Sequence, residues 1–220
     1  MDNTLANEHV RIEPNILYFG TPVVLISSSN EDGTPNLAPM SSAFWLGWRC
    51  MLGLGARSKT AVNLRRTREC VLNLPSDALA PQVDRLALTT GSDPVPERKY
   101  ERGYRHVSDK FGHAGLTAVP SEAVSPPRVA ECPVAMECVV EQVHAIGDGG
   151  TLTFEARVVR VWTHQEVRLT GTDDHIDPDA WRPLIMSFQK FYGLGSQVHP
   201  SRLASIPERL YRSADIDRAR

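Results

Sequence analysis

The sequence predicts a mainly β protein with a few helices, folded as a small closed or nearly closed antiparallel β-barrel. Three observations lead there. Short apolar runs of strand length recur along the N-terminal third, each closed by turn residues. Residues 134–162 alternate apolar and polar on both sides of a glycine-rich turn, the pattern of a half-buried antiparallel hairpin. No alternation of strand and helix runs through the chain, so a parallel sheet is not expected.

Taken in order, residues 1–20 begin polar and then lead through Ile12 and Pro14–Gly20 toward the first strand. Pro14 and Pro22 argue against a long helix, and the segment reads as a cover for a sheet edge. Val23–Ile26 is the first strand. Asn30-Glu-Asp-Gly33 turns it back, with Gly33 free to take positive φ, into Asn36–Pro39. Ser41–Trp48 is dense in aromatic and small residues and reads equally as core or as a cofactor wall. Cys50–Leu54 is the next strand. At Arg57–Asn63 it hands over to a helix with Ser58 at the N-cap and Ala61 and Leu64 on one face. Cys70–Leu74 is again a strand.

Leu79, Val83 and Leu86 give an amphipathic helix over Ser76–Leu88, with Pro81 tolerated in its first turn. Thr89–His106 has no usable period and reads as a long surface loop that could close as a lid. Ser108–His113 looks like a helical turn, and Gly115–Pro120 and Val124–Val129 are extended segments pinned by proline. In the hairpin, Val134, Met136, Cys138 and Val140 face one way, and Ala135, Glu137, Val139 and Glu141 the other. Gly147–Gly150 turns the chain, and Leu152, Phe154, Ala156 and Val158 continue toward Trp162. Beyond Thr170 the pattern fades. Asp173–Pro183 has neither period, Phe188–Gly195 carries three aromatics and two glycines, and Arg202–Arg220 is charged and expected to fray. One domain over 1–220 is expected, with its core at about 17–170 and a tail over about 171–220.

Bulk properties set few limits on function. A net charge of −2 gives no reason to expect nucleic acid or an anionic membrane as partner. No apolar window is long enough to span a bilayer, and the polar start lacks a signal peptide's regions, so a cytoplasmic protein is expected. Cys50, Cys70, Cys132 and Cys138 have no metal-ligand spacing and read as packed, reduced thiols.

Chemistry concentrates at the helix that starts after Arg57. Its first residues, Ser58, Lys59 and Thr60, offer free backbone N–H groups, two hydroxyls and a cation to one anion. The segment reads as a phosphate cup. Gly53–Thr60 also approaches the nucleotide-triphosphatase loop G-x-x-x-x-G-K-[ST], but Ser58 replaces the second glycine and no later strand ends in a metal-binding Asp. The histidines are scattered. The cluster Asp173, Asp174, His175 and Asp177 is better read as a solvated loop than as a cation site. With no nucleophile motif, acid pair or metal set, no catalytic residue stands out and the chemistry is assigned to a bound cofactor.

These residues carry a resemblance. Pro22-Val-Val-Leu-Ile26, Asp32-Gly-Thr-Pro-Asn-Leu-Ala-Pro-Met-Ser-Ser42, Arg57-Ser-Lys-Thr-Ala-Val-Asn-Leu-Arg-Arg-Thr67 and Val71-Leu-Asn-Leu74 resemble the flavin reductase-like family of FMN-binding split barrels. Gly115-Leu-Thr117, Pro127–Val134, Met136-Glu-Cys138 and Phe191–Gly195 extend the likeness, which covers about Leu17 to Gly195. The resemblance implies a split antiparallel β-barrel that forms a homodimer with one FMN per subunit near the subunit boundary. Pro39, Met40, Ser41 and Ser42 would lie along the isoalloxazine and ribityl chain. Arg57, Ser58, Lys59 and Thr60 would hold the phosphate, with Asn63 nearby. The reaction implied is NADH- or NADPH-dependent reduction of flavin, or of an acceptor through bound FMN, with a redox partner protein. The alternatives are a flavoredoxin-like electron carrier without nicotinamide activity, and a split barrel for another phosphorylated ligand such as pyridoxal phosphate.

Overall fold

The computed structural model describes residues 9–172 and 174–219. The polar start of the chain, Asp173 of the acidic cluster and the terminal Arg220 lie outside the described residues. In chain order the first elements are β1 (Thr21–Pro22), β2 (Val24–Ser29), β3 (Pro35–Met40), β4 (Ala43–Leu46), β5 (Arg49–Gly55), α1 (Lys59–Thr67) and β6 (Glu69–Leu74). There follow α2 (Ala80–Leu86), β7 (Thr89–Thr90), α3 (Glu97–Tyr100), β8 (Arg105–His106), α4 (Lys110–Ala114), β9 (Ala118–Val119) and β10 (Arg128–Val129). The long hairpin is β11 (Val134–Ile146) and β12 (Thr151–Thr163), and α5 (Pro178–Trp181), β13 (Ile185–Ser187) and β14 (Lys190–Tyr192) complete the set used below.

Among the described residues the main sheet has seven strands in the order β3-β2-β6-β11-β12-β5-β4, with every neighbouring pair antiparallel. Its two edge strands, β3 and β4, are consecutive in the chain and joined only by Ser41 and Ser42. Two linking residues reach about 10 Å, whereas the edges of a flat seven-stranded sheet lie about 29 Å apart. The sheet must therefore curl until its edges meet at that end, which gives the expected split barrel. At that end Gly53 N–H donates to Ser42 O at 2.8 Å, which extends the β4–β5 ladder into the link between the two edges.

The barrel interior is a single apolar cluster that includes Ile26, Leu52, Leu54, Leu72, Met136, Val140 and Phe154, closed on one side by Ala61 and Leu64 of α1. A second cluster lies outside, where Leu25 and Leu37 of the sheet pack against Val83 and Leu86 of α2 and Phe111 of α4. The alternation read from the sequence thus has two buried faces rather than one.

The hairpin shows where simple alternation fails. Register shifts between Glu137 and Cys138 and between Val140 and Gln142 mark β-bulges, which coil the long strands around the barrel. Glu137, expected on the outward, half-solvated face, is fully buried. The segment from Pro120 to Val129 folds over it. Its carboxylate accepts from the main-chain N–H of Ala123 at 2.5 Å and Glu122 at 3.1 Å, and from Trp162 Nε1 at 2.7 Å. Those donors replace the water it loses.

Two further expectations change in detail. The loop Thr89–His106 is closed at its base by parallel pairing of β7 with β8 and contains the short helix α3. The aromatic stretch is split between core and surface, with Ala43 inside the barrel cluster. Phe44 and Leu46 are 55% and 69% exposed, while Trp45 and Trp48 pack only partly on the barrel cluster. The four cysteines are free and buried, and burial raises the pKa of Cys50, Cys132 and Cys138, which keeps them protonated. No helix among the described residues is long and apolar enough to cross a membrane.

Candidate functional site

The site grows from the turn between β5 and α1. Ser58 takes extended backbone angles (φ −69°, ψ 148°), and its Oγ accepts from Ala61 N–H at 3.2 Å, as an N-cap does. Val62 N–H donates to Ser58 O at 3.0 Å. Among the described residues, no protein acceptor takes the N–H groups of Lys59 and Thr60, so both point free from the helix start. Thr60 Oγ1 accepts from Asn36 Nδ2 at 3.2 Å. Both cup hydroxyls therefore act as acceptors within the protein, and their own protons are uncommitted. Arg57 is exposed and Lys59 half-buried beside them.

A buried polar network fixes this turn from below. Asn63 is wholly buried, and its Nδ2 donates to Ser28 Oγ at 3.1 Å and to Asn30 Oδ1 at 3.0 Å. Asn36 Nδ2 also reaches Ser28 Oγ, at 3.3 Å. Asn63 thus ties α1 to β2, and Asn36 ties the helix start to β3. The Oδ1 atoms of both asparagines are buried without a partner.

The opposite wall comes from the loop after α2. A Cβ on Gly91 would lie 2.6 Å from Asn36 Oδ1 and 3.1 Å from Lys59 Cγ, so only glycine permits this approach. Next to it, Lys99 Nζ donates to Thr90 Oγ1 at 3.3 Å. Lys110, at the start of α4, is only 3% exposed. Burial, and then the nearby Lys99 charge, pull its pKa down to about 8. Burial likewise lowers Lys99. Lys99 thus stands at the cup's wall, with the desolvated Lys110 ammonium close to it. Sequence reasoning missed them, because Lys110 sits in a short polar run that reads only as a helical turn.

The predicted ring-side residues gather at the other end of β3. Pro39 and Met40 end that strand, and Met40 packs on the barrel cluster. Ser41 is buried and Ser42 exposed. Tyr18 OH lies 2.5 Å from Ser41 Oγ and 3.3 Å from Ser42 Oγ, and Thr21 Oγ1 donates to Ser41 O at 2.6 Å. Tyr18 and Thr21 were not legible in the sequence as site residues, since both belong to the lead-in. Phe188 N–H donates to Tyr18 O at 2.7 Å, and the Phe19 and Phe188 rings meet edge-on at 5.3 Å. The lead-in is thereby held by the turn between β13 and β14.

The two ends form one elongated site. From Asn36 to Ser41 the chain advances five residues along one edge strand, on the order of 16 Å. Gly53, bonded to Ser42, lies two residues before the end of the strand that delivers the cup. One end offers free N–H groups, hydroxyl protons and cations, which is the donor set a phosphate requires. The other offers hydroxyls on an apolar floor, suited to the polar edge of a flat ring. The residues present therefore fit a ring-bearing phosphate such as FMN. Among the described residues no group of three or more His, Cys, Asp or Glu side chains is gathered as for a metal ion.

Comparison with known proteins bears on the family and the fold. Residues 16–195 match the model of the flavin reductase like domain. YdfE, an uncharacterized protein of Bacillus subtilis strain 168, is 37% identical over 188 residues, 85% of this chain and 90% of that protein. Among solved structures, flavoredoxin of Desulfovibrio vulgaris (Miyazaki F) superposes with a TM-score of 0.73 at 20% identity, over 90% of this chain and all of that one. Nitrilotriacetate monooxygenase component B of Bacillus cereus gives 0.70 at 20% identity, over 89% of this chain and all of that one. Those two likenesses bear on the fold, and the family match bears on the chain itself. This chain belongs to the flavin reductase-like family.

Proposed function

We propose that the chain is a single-domain FMN-dependent oxidoreductase that takes electrons from NADH or NADPH and passes them on through its flavin. The observation that carries this reading is the uncommitted donor set of Lys59 N–H, Thr60 N–H, Ser58 Oγ and Thr60 Oγ1 at the end of the strand that also holds Ser42. Arg57, Ser58, Lys59 and Thr60 hold the phosphate, and Asn63 holds the helix that presents it. Lys99 of the facing loop, with Lys110 of α4 close to it, adds positive charge. Pro39, Met40, Ser41 and Ser42 line the ring and ribityl chain. Bound flavin supplies the ability to accept hydride and release electrons, and the protein supplies position and charge.

The exposed Leu17, Phe19, Phe44 and Leu46 would be covered in a homodimer, which is the assembly this reading includes. The test is a visible spectrum of the purified protein with chemical identification of the released ligand, followed by anaerobic addition of NADH or NADPH. The reading expects FMN and bleaching within seconds by one of the two nucleotides. Flavin reduced by dithionite but by neither nucleotide would make the protein an electron carrier, and a released ligand other than flavin would overturn the reading.

A further inference from the structure

Tyr18 lies outside the barrel strands and outside every residue assigned above to the flavin, yet it is bonded to the serine pair that faces the ring. Its hydroxyl is 2.5 Å from Ser41 Oγ and 3.3 Å from Ser42 Oγ. A phenol is a far stronger acid than an aliphatic alcohol, so in the short contact Tyr18 donates and Ser41 accepts. Tyr18 has one proton, so the longer contact is Ser42 donating to the phenol oxygen. This order leaves the Ser41 proton as the end of a chain, Ser42 to Tyr18 to Ser41. Among the described residues no protein acceptor takes that proton. Each link polarises the next and makes Ser41 a stronger donor than an isolated serine.

The chain is built rather than incidental. Ser41 is buried, and Thr21 Oγ1 clamps its carbonyl at 2.6 Å. Phe188 N–H holds the Tyr18 carbonyl at 2.7 Å, so the phenol is fixed at its backbone from a segment more than a hundred residues away in sequence.

We propose that Tyr18 is a positioning residue of the flavin site, orienting the Ser41 hydroxyl proton toward the bound ring and thereby favouring the reduced flavin. The inference rests on the placement of the ring along Pro39–Ser42. Reduction adds electron density to the ring's polar edge, and a fixed donor there stabilises the electron-rich form more than the oxidised one.

The experiment compares wild type, Tyr18→Phe, Ser41→Ala and the double variant, each loaded with FMN. The readouts are oxidised-FMN affinity, flavin midpoint potential and melting temperature. The expected result is that Tyr18→Phe keeps its melting temperature but loses about three- to tenfold more affinity for reduced than for oxidised FMN, seen as a lower potential. Ser41→Ala should shift the potential in the same direction, and the double variant no further than Ser41→Ala alone, because both changes cut one chain. An unchanged potential in Tyr18→Phe, or shifts that add in the double variant, would overturn the proposal while leaving the flavin site intact. Wild type that binds no FMN at all would overturn both, and that outcome is told apart because it needs no variant.

Discussion

The two ends of the proposed flavin site are built by different means. The phosphate cup is local: Ser58, Lys59 and Thr60 are consecutive, the N-cap forms within the same turn, and the supporting asparagines lie on the first hairpin and on α1 itself. The ring end is assembled from distant pieces. Ser41 and Ser42 join the two edge strands, Tyr18 and Thr21 come from the lead-in, and Phe188 comes from the segment after the barrel. A local cup is rigid wherever its helix is rigid. A composite ring end is only as rigid as the contacts that bring its pieces together. Affinity for phosphate should therefore depend on single charged side chains, and ring chemistry on packing between segments.

The largest effect expected from this contrast is at Lys59. A charge-assisted hydrogen bond contributes about 1.5–3 kcal/mol, so Lys59→Ala should weaken FMN binding by about ten- to a hundredfold with the fold unchanged. Riboflavin carries no phosphate and should bind both proteins equally. Fluorescence titration with the two ligands checks this. Equal FMN affinity in the two proteins would erase the distinction between the ends, because the cup would then hold no anion.

The same contrast explains how much of the molecule was legible beforehand. Strands β2, β5 and β6 were readable as short apolar runs between turn residues, the hairpin β11–β12 by its alternation, and Ser58 because an N-cap is a signal within four residues. Glu137 was not, since its burial is imposed by the irregular segment around Glu122 and Ala123 that folds over it. Lys110 and Tyr18 escaped for the same reason. A lysine before Phe111 and a tyrosine in a proline-flanked lead-in carry no period that marks them as site residues, and only the folded chain sets them beside Lys99 and Ser41.

A second, smaller effect tests whether Lys110 of α4 contributes to the cup. Lys110 is drawn down to about 8 by burial and then by Lys99, against an ordinary lysine value of about 10.4. A bound phosphate favours the charged ammonium, so above about pH 8 binding must take up a proton that the free protein has lost. FMN affinity should be flat from about pH 7 to 8 and then fall as pH rises, approaching about tenfold per unit. Stability of the ligand-free protein should move the opposite way. Between the native and unfolded pKa values the unfolded chain binds more protons, so unfolding free energy rises with pH in that window. Titrations at pH 7, 8 and 9 with Lys110→Met as control separate the cases. A pH profile identical in wild type and Lys110→Met would remove Lys110 from the phosphate end.

The smallest effect bears on the ring end and separates packing from stability. Phe188 sits at φ +45°, in the left-handed region that costs a non-glycine residue about 1–2 kcal/mol. Its edge-on contact with Phe19 contributes about 0.5–1.5 kcal/mol beyond area burial. Phe188→Gly relieves the first and loses the second, so the melting temperature should move little. The main-chain bond from residue 188 to Tyr18 O remains possible, but the ring that pins the lead-in is gone. The lead-in should then exchange its amide hydrogens faster, and the FMN potential should move part of the way toward that of Tyr18→Phe, by about two- to threefold in the affinity ratio. Hydrogen exchange at residues 16–21 and a potential measured on the same sample check both halves. Faster exchange with an unmoved potential would mean that Tyr18 keeps its place through Ser41 alone. The ring end would then be as local as the cup.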